Sequence, residues 1–280
     1  MLERADLHVH SWRSDGKYSP SDIVRLAASV GLGAVALTDH ENVTGIEEFL
    51  NMPAPTLLQR VPGVEISSDY GTEEIHILGY FIDYSSESLS RGLEDLLLRK
   101  EQRFREMVDR LRGLGIEIDD QDIRGVLSET RAPGRPHLAR LLVKKGVVSD
   151  AKRAFELYLG ENKPAYVERR RASYSEAIRL VARAGGVPVL AHPLKNEIDD
   201  LEKMIRDLKR EGLEGTEVFY SYSDPKKIAT EELENLAKEL DLVMTGGSDF
   251  HGDADGPPLG GVTVSIDVVS QLRERARSQH

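Results

Sequence analysis

The sequence predicts an α/β protein, a small barrel of about seven strands with a run of helices inserted between two of them. Three observations predict it. Short apolar runs alternate with helical patterns up to residue 86 and again after residue 163. The stretch between them, 87–163, reads as helix alone. Histidines gather at the ends of the strand-like runs rather than on the helices.

The elements follow in order. Ala5–His10 reads as a strand, Ser21–Val30 as a helix capped near Ser19 or Ser21, and Ala34–Thr38 as a second strand. Val61–Ser67 and Ile75–Phe81 follow as strands. The alternation returns with helix Tyr174–Ala184, strand Val187–Ala191, helix Asp199–Arg210, strand Thr216–Phe219, helix Pro225–Glu239 and strand Leu242–Thr245. Strands alternating with helices imply a parallel sheet with crossover helices, and this number of strands fits one barrel better than two domains. The middle differs. Ser88–Leu114 carries leucines and charges at helical spacing and ends at Gly113 and Gly115. Asp120–Leu127, Pro136–Lys145 and Asp150–Leu159 are shorter helical segments separated by turns. The expected division is 1–86 with 164–280 as the barrel and 87–163 as a helical insertion.

Composition narrows the function classes. The 280 residues carry no cysteine, so disulfides and thiolate ligands are excluded, and any metal is held by nitrogen and oxygen. No apolar stretch approaches the ~20 residues that cross a bilayer. The N-terminus enters a strand without a basic region and an apolar block, so no signal peptide is expected and the cytoplasm is the default compartment. A net charge of −11 argues against binding long duplex DNA. The charge is uneven: Glu87 to Arg171 holds 19 basic and 15 acidic residues, against 18 and 33 in the rest. That segment is either a solvated helical surface or a cradle for an anionic substrate.

Six of the eight histidines lie at or near strand ends. His8 and His10 form an H-x-H pair, and alternation along a strand puts both on one face, where they can share an ion. Asp15 follows in the next loop; His40 ends Leu37-Thr38-Asp39-His40; Glu65 lies in Pro62-Gly63-Val64-Glu65-Ile66. His192 ends Val189-Leu190-Ala191-His192, and Asp249 and His251 close Gly246-Gly247-Ser248-Asp249-Phe250-His251. His76, near the start of its strand, fits less neatly. Six imidazoles and three carboxylates exceed the needs of one ion; two or three, with Glu65 as a bridge, use them all.

The order H-V-H-S-x-x-S-D-G, T-D-H, V-P-G-V-E-I-S, H-I-L-G-Y-F, A-H-P and S-D-F-H-G resembles the polymerase and histidinol phosphatase (PHP) family, from Ala5 to about Gly252. The inserted Gly134-Arg135-Pro136-His137-Leu138-Ala139-Arg140 looks like the branch of small bacterial phosphoesterases acting on nucleoside 3′,5′-bisphosphates and short RNA. The resemblance implies a distorted seven-stranded barrel binding two or three Mn, Fe, Zn or Mg ions and hydrolysing phosphomonoesters or phosphodiesters of small nucleotides with a metal-activated hydroxide. It implies His8, His10, Glu65 and Asp249 around one ion, Glu65, His76 and His192 around a second, and Asp15, His40 and His251 around a third. Glu65, His192 and Asp249 would be catalytic. It further implies that the insertion covers the site and that Arg135 and His137 face the substrate phosphate. One departure is Glu41-Asn42 after His40, where an acid or Asn followed by Thr is expected.

Read without the resemblance, Arg135 suits bidentate phosphate recognition or lies in solvent, and His137 meets phosphate or caps its helix. Arg99 and Arg103 lie one helical turn apart, Arg169–Arg171 form a short basic run at the insertion exit, and Trp12 packs over a base, into the core or under a lid. The competing functions are histidinol phosphatase, a carbon–nitrogen hydrolase, for which no strand-end lysine is found, and a non-catalytic metal-stabilised module.

Overall fold

Alternating apolar runs form the strands and 3.6-residue patterns the helices, and the main exception concerns strand direction. The computed structural model describes residues 3–53, 57–130, 132–195, 198–222 and 227–278. Its strands are β1 (Arg4–Asp6), β2 (Ala34–Leu37), β3 (Gln59–Tyr70), β4 (Glu73–Tyr80), β5 (Ala172–Ser173), β6 (Val187–Ala191), β7 (Gly215–Phe219), β8 (Val243–Gly246) and β9 (Val264–Ser265). Its helices are α1 (Pro20–Ser29), α2 (Ile46–Asn51), α3 (Glu87–Gly113), α4 (Asp120–Glu129), α5 (Arg135–Lys144), α6 (Ala151–Ala154), which runs into a π turn at Phe155–Leu159, α7 (Tyr174–Arg183), α8 (Leu201–Arg210), α9 (Lys227–Glu239) and α10 (Asp267–Ser278). The expected start of the ninth helix at Pro225 lies outside the described residues. The chain divides into two compact units, residues 1–93 with 172–280, and residues 94–171.

In the first unit the strands are ordered β8-β7-β6-β4-β3-β2-β1-β9, with β5 beside β3. The chain beyond β1 then runs alongside the chain beyond β8. Leu7 N donates to Gly246 O (3.2 Å), Phe250 N to His8 O (3.3 Å) and His10 N to Phe250 O (2.9 Å), and Val9 and Phe250 bridge in parallel. These contacts bring the two ends of the sheet together, so β1–β4 and β6–β8 form a seven-stranded barrel.

The sheet is not wholly parallel, which corrects the expectation from alternation alone. β4 is antiparallel to both β3 and β6. The reason is local: only Gly71 and Thr72 separate β3 from β4, whereas a parallel crossover needs a dozen residues or more. Gly71 supplies the positive φ (60°) of this tight turn. Reversal places the beginning of β4 level with the ends of its neighbours, and His76 sits opposite Ser67 and Ala191.

Small strand residues, Ala5, Ala34 and Ala36, pack with Val61, Tyr80, Val187 and Val189, and α10 adds Val269 and Leu272 to the same core. Helix starts are fixed by side-chain caps: Ser19 Oγ accepts from Asp22 N at 3.0 Å, and Asp200 Oδ1 from Lys203 N at 2.9 Å. The second unit has its own core, in which Phe104, Met107 and Leu111 of α3 meet Leu138 and Leu142 of α5. No described helix is long and apolar enough to cross a membrane.

Candidate metal centre

The centre is built where the barrel strands end. His8 and His10 leave β1 on one side of the chain, with ring centroids 5.1 Å apart. His40 follows β2 and is tied to Glu65 by a parallel bridge. Glu65 lies in the middle of β3, His76 near the start of the reversed β4, and His192 just past β6. Asp249 and His251 follow β8, and Asp15 closes the loop after His10. All nine candidate ligands of the sequence come together here.

Glu65 organises them, 1% exposed and ringed by five imidazoles. Its Oε2 lies 3.2 Å from His8 Nε2, 3.2 Å from His10 Nε2 and 3.3 Å from His40 Nδ1. Its Oε1 lies 2.8 Å from His76 Nδ1 and 3.1 Å from His192 Nε2. The two oxygens therefore face two different sets of donors, the geometry of a bridging carboxylate. Asp249 Oδ1 is 3.4 Å from His8 Nε2 and 3.2 Å from His10 Nε2. On the far side of His10, whose ring stacks on His251 at 4.2 Å, Asp15 Oδ1 lies 3.3 Å from His251 Nε2 and Asp15 Oδ2 3.7 Å from His40 Nε2. Three groups of donor atoms gather closely enough to share an ion: His8, His10, Glu65 and Asp249; His10, Asp15, His40 and His251; and His40, Glu65 and His76.

Whether cations fit is answered by the hydrogen bonds. His8 Nε2, both ring nitrogens of His10, His40 Nδ1 and Glu65 Oε2 are buried without a hydrogen-bond partner. Each such atom costs about 1–3 kcal/mol when left unsatisfied; His8 Nε2, His10 Nε2 and His40 Nδ1 converge on Glu65 Oε2, while His10 Nδ1 turns to Asp15 Oδ1 at 3.5 Å. Divalent cations held by these separate groups would satisfy them, and the nitrogen and oxygen donors suit such ions.

Electrostatics says the same. Burial alone would raise the Glu65 carboxyl, but the charges of His40, His8 and His76 outweigh it and hold it well below the usual range. Burial opposes protonation of His10, yet contacts with Asp249 and Glu65 push it up to about 10; Glu65 and Glu74 push His76 to about 9 in the same way. Burial wins at His40, which falls to about 4, and lowers His192. Asp249, whose burial is outweighed by His8 and His10, is held below its ordinary value.

Backbone strain concentrates here. Glu41, His192 and Asp249 adopt positive φ (41°, 29° and 54°), a conformation that costs non-glycine residues roughly 1–2 kcal/mol. Each is at or next to a candidate ligand, and the neighbouring hydrogen bonds impose the conformation. The Glu41 of the departing Glu41-Asn42 pair is buried and takes a structural place: its N–H donates to Glu65 O (2.9 Å) and its Oε1 accepts from Ser67 N (2.9 Å).

Sequence reasoning missed the residues behind the candidate ligands. Glu217, fully buried on β7, accepts from His8 Nδ1 (3.1 Å) and from His192 N (2.9 Å). A carboxylate only accepts, so the His8 proton stays on Nδ1 and Nε2 is turned to the cluster. Asp6 receives Ser248 N (2.9 Å), Ser248 Oγ (2.6 Å) and Gly260 N (2.8 Å), which anchors the loop carrying Asp249; burial pushes its carboxyl up to about 6 against these bonds. Asp39 receives Ser11 N, Ser11 Oγ and Ser14 Oγ, each at 2.7 Å, and fixes the loop carrying Asp15. Tyr220 OH (2.9 Å) and Lys195 Nζ (3.3 Å) donate to Asp249 Oδ2, leaving Oδ1 for His8 and His10. The signal in each carboxylate case was a charge inside or beside an apolar strand, where only a partnered group is tolerated.

In the second unit, the Arg135 guanidinium lies over the rings of Phe155 (5.6 Å) and Tyr166 (5.5 Å), and His137 Nδ1 accepts from Gly134 N (3.2 Å), which caps α5. Arg103 donates from Nε to Val167 O (2.8 Å), Arg99 pairs with Asp95 (2.5 Å), and Arg170 of the basic run pairs with Glu106 (2.8 Å).

A barrel with a clustered histidine–carboxylate centre defines a class of metal-dependent hydrolases, and comparison with known proteins gives the family. The PHP domain matches residues 6–210, and the chain belongs to that family. It is 33% identical to a 5′-3′ exoribonuclease of Haemophilus influenzae, over 98% of this chain and all of the relative. It is 32% identical to a 3′,5′-nucleoside bisphosphate phosphatase of Chromobacterium violaceum, over 91% of this chain and 90% of the relative. A solved structure from Bifidobacterium adolescentis, assigned as a metal-dependent phosphoesterase, superimposes with a TM-score of 0.77 at 30% identity, covering 97% of this chain and 96% of that one. The chain is a phosphoester hydrolase with side-chain clusters for divalent metal.

Proposed function

We propose that the chain hydrolyses terminal phosphoesters of small nucleotides, nucleoside 3′,5′-bisphosphates and the ends of short RNAs, with two or three Mn, Fe, Zn or Mg ions held by the nine side chains named above. The single observation that carries this reading is Glu65, whose two oxygens face separate sets of imidazoles and whose Oε2 lies among buried nitrogens without a hydrogen-bond partner. His8, His10, Glu65 and Asp249 would hold one ion, Glu65, His76 and His192 a second, and Asp15, His40 and His251 a third. Such ions, when bound, acidify a coordinated water and neutralise phosphoryl oxygens as charge shifts in the transition state.

The chain's own residues set the stage. Glu217 holds His8 in one tautomer, and Tyr220 and Lys195 hold the outer oxygen of Asp249. Burial lowers the His192 imidazole, whose Nε2 lies 3.1 Å from Glu65 Oε1. Asp249 is ionised at pH 7 and presents Oδ1 toward the cluster. Arg135 and His137 as contacts for the substrate phosphate extend the proposal on the strength of the sequence resemblance; replacing Arg135 by Ala should then raise KM more than it lowers kcat.

The test is direct. Purified protein supplied with Mn should release phosphate from adenosine 3′,5′-bisphosphate or shorten 5′-phosphorylated RNA oligomers, and lose that activity to chelator. Failure on both substrates, with histidinol phosphate cleaved instead, would replace the substrate class while leaving the centre intact.

A further inference from the structure

We propose that the indole of Trp12 is a stacking platform for the nucleobase of the substrate, a subsite that rests on the nucleotide reading above. Trp12 is the only tryptophan of the chain, and it is 58% exposed. An exposed indole leaves a large apolar face in water, and ordinarily such a ring is buried or covers something.

Its surroundings are anything but loose. Trp12 N donates to Tyr18 O (2.9 Å), Ser14 N and Gly16 N donate to Ser11 O (3.1 and 2.9 Å), and Lys17 N donates to His251 O (2.8 Å). The side chains on either side are tied inward or sideways: Ser11 Oγ to Asp39 (2.7 Å) and Arg13 to Glu48 (3.2 Å). A β-carbon at position 16 would collide with His10 O, so the glycine there lets the loop fold tightly against the centre. The loop thus displays the indole on a backbone held at six N–H groups between Ser11 and Lys17. A pre-set aromatic face loses little freedom on binding, which favours recognition by stacking.

Position supplies the second argument. Trp12 is two residues from His10 and three from Asp15, both at the centre. Consecutive Cα atoms are 3.8 Å apart, so the Trp12 Cα lies within about 8 Å of that of His10. This is the order of distance by which a ribose separates a base from its phosphate. A phosphoryl group at the cluster therefore brings its base within reach of the ring. Stacking needs only a planar face, so the subsite would accept every base and favour purines.

The experiment compares wild type with Trp12→Ala, Trp12→Leu and Trp12→Phe, all loaded with Mn, on adenosine 3′,5′-bisphosphate, a 5′-phosphorylated dinucleotide and an abasic ribose bisphosphate. Stacking predicts that W12A raises KM about tenfold on at least one of the two base-bearing substrates, with little change in kcat, and that the loss is confined to them. W12L should behave like W12A, and W12F should recover most of the affinity. Because the chain has one tryptophan, its fluorescence reports this ring alone. It should respond to adenosine 5′-monophosphate and not to ribose 5-phosphate. Equal loss on the abasic substrate, wild-type behaviour of W12L, or fluorescence that ignores the base would overturn the subsite. Inactivity of the wild type on both nucleotide substrates would instead overturn the nucleotide reading, and the subsite with it.

Discussion

The two units of the chain bury different things. Every buried polar or charged side chain among the described residues, from Asp6 to Ser248, belongs to the barrel unit, and none lies within 94–171. The second unit is cored by Phe104, Met107, Leu111, Leu138 and Leu142, and its charges pair at the surface, as Lys145 does with Asp122 at 2.6 Å. Burying an unpaired charge costs far more than burying a leucine returns, so the barrel has given up stability at the end that carries the centre. Cations bound there would return it. No candidate metal cluster lies among the described residues of the insertion, and this contrast can be tested.

The largest effect should come from Glu65. Glu65→Gln keeps the shape but removes the charge and one of the two oxygens that face separate imidazole sets. It should lower kcat roughly 10³-fold, on the order of 4 kcal/mol. Metal content by elemental analysis should fall with it while circular dichroism stays unchanged. Retained activity in this variant would break the comparison outright. Next in size is a change on the other side. Leu142→Ala opens a cavity in the insertion core and should cost about 2–5 kcal/mol, seen as a lower thermal midpoint. The ratio of metal to protein should not move.

Glu217→Gln should weaken metal binding about 10- to 100-fold, because the charge that fixes the His8 ring is lost while all nine candidate ligands remain. A chelator competition measures it. The same assay run between pH 6 and 8 reads the protons that cations must displace. His10 and His76, raised to about 10 and 9, are protonated at neutral pH in the metal-free protein. Affinity should therefore climb about tenfold per pH unit for each proton displaced. The metal-free fold should move the other way. A raised histidine stabilises it fully below the ordinary value of about 6.5, and that contribution is lost as pH rises through 9 to 10. Affinity that is flat with pH would mean that protons do not occupy the cluster.

How much of this was legible follows from which interactions are local. The H-x-H pair, the strand-end His40 and His192, and the Asp249–His251 segment could be read because strand periodicity and barrel topology are enough to bring them to one end. His76 fits less neatly in the sequence because helix–strand alternation implies parallel strands. The two-residue link Gly71-Thr72 carried the opposite message and forces a reversal. Glu217 read as a member of an apolar strand, since what makes it tolerable is His8, more than two hundred residues away in sequence, and no pattern records such a partner. The closing helix α10 also went unread, although Val268, Val269, Leu272 and Ala276 recur at helical spacing; it follows the last motif and carries no chemistry.

The smallest expected effect concerns Asp249, where the barrel holds a candidate ligand from outside the cluster. Its Oδ2 takes hydrogen bonds from Tyr220 OH and Lys195 Nζ, and the Lys195 ammonium also lies 5.7 Å from the centre of the Tyr220 ring. Tyr220→Phe removes one of the two donors and leaves Lys195 to orient the carboxylate, so kcat should fall by no more than about tenfold, with metal content unchanged. Lys195→Ala alone should do as little, since it is nearly half exposed and its contact is longer. The double variant should lose more than the product of the two single losses, because only then is Oδ2 free to turn and Oδ1 free to leave His8 and His10. A cycle with no coupling would show that the Asp249 backbone, fixed by its positive φ and by the Ser248 bonds to Asp6, orients the carboxylate unaided.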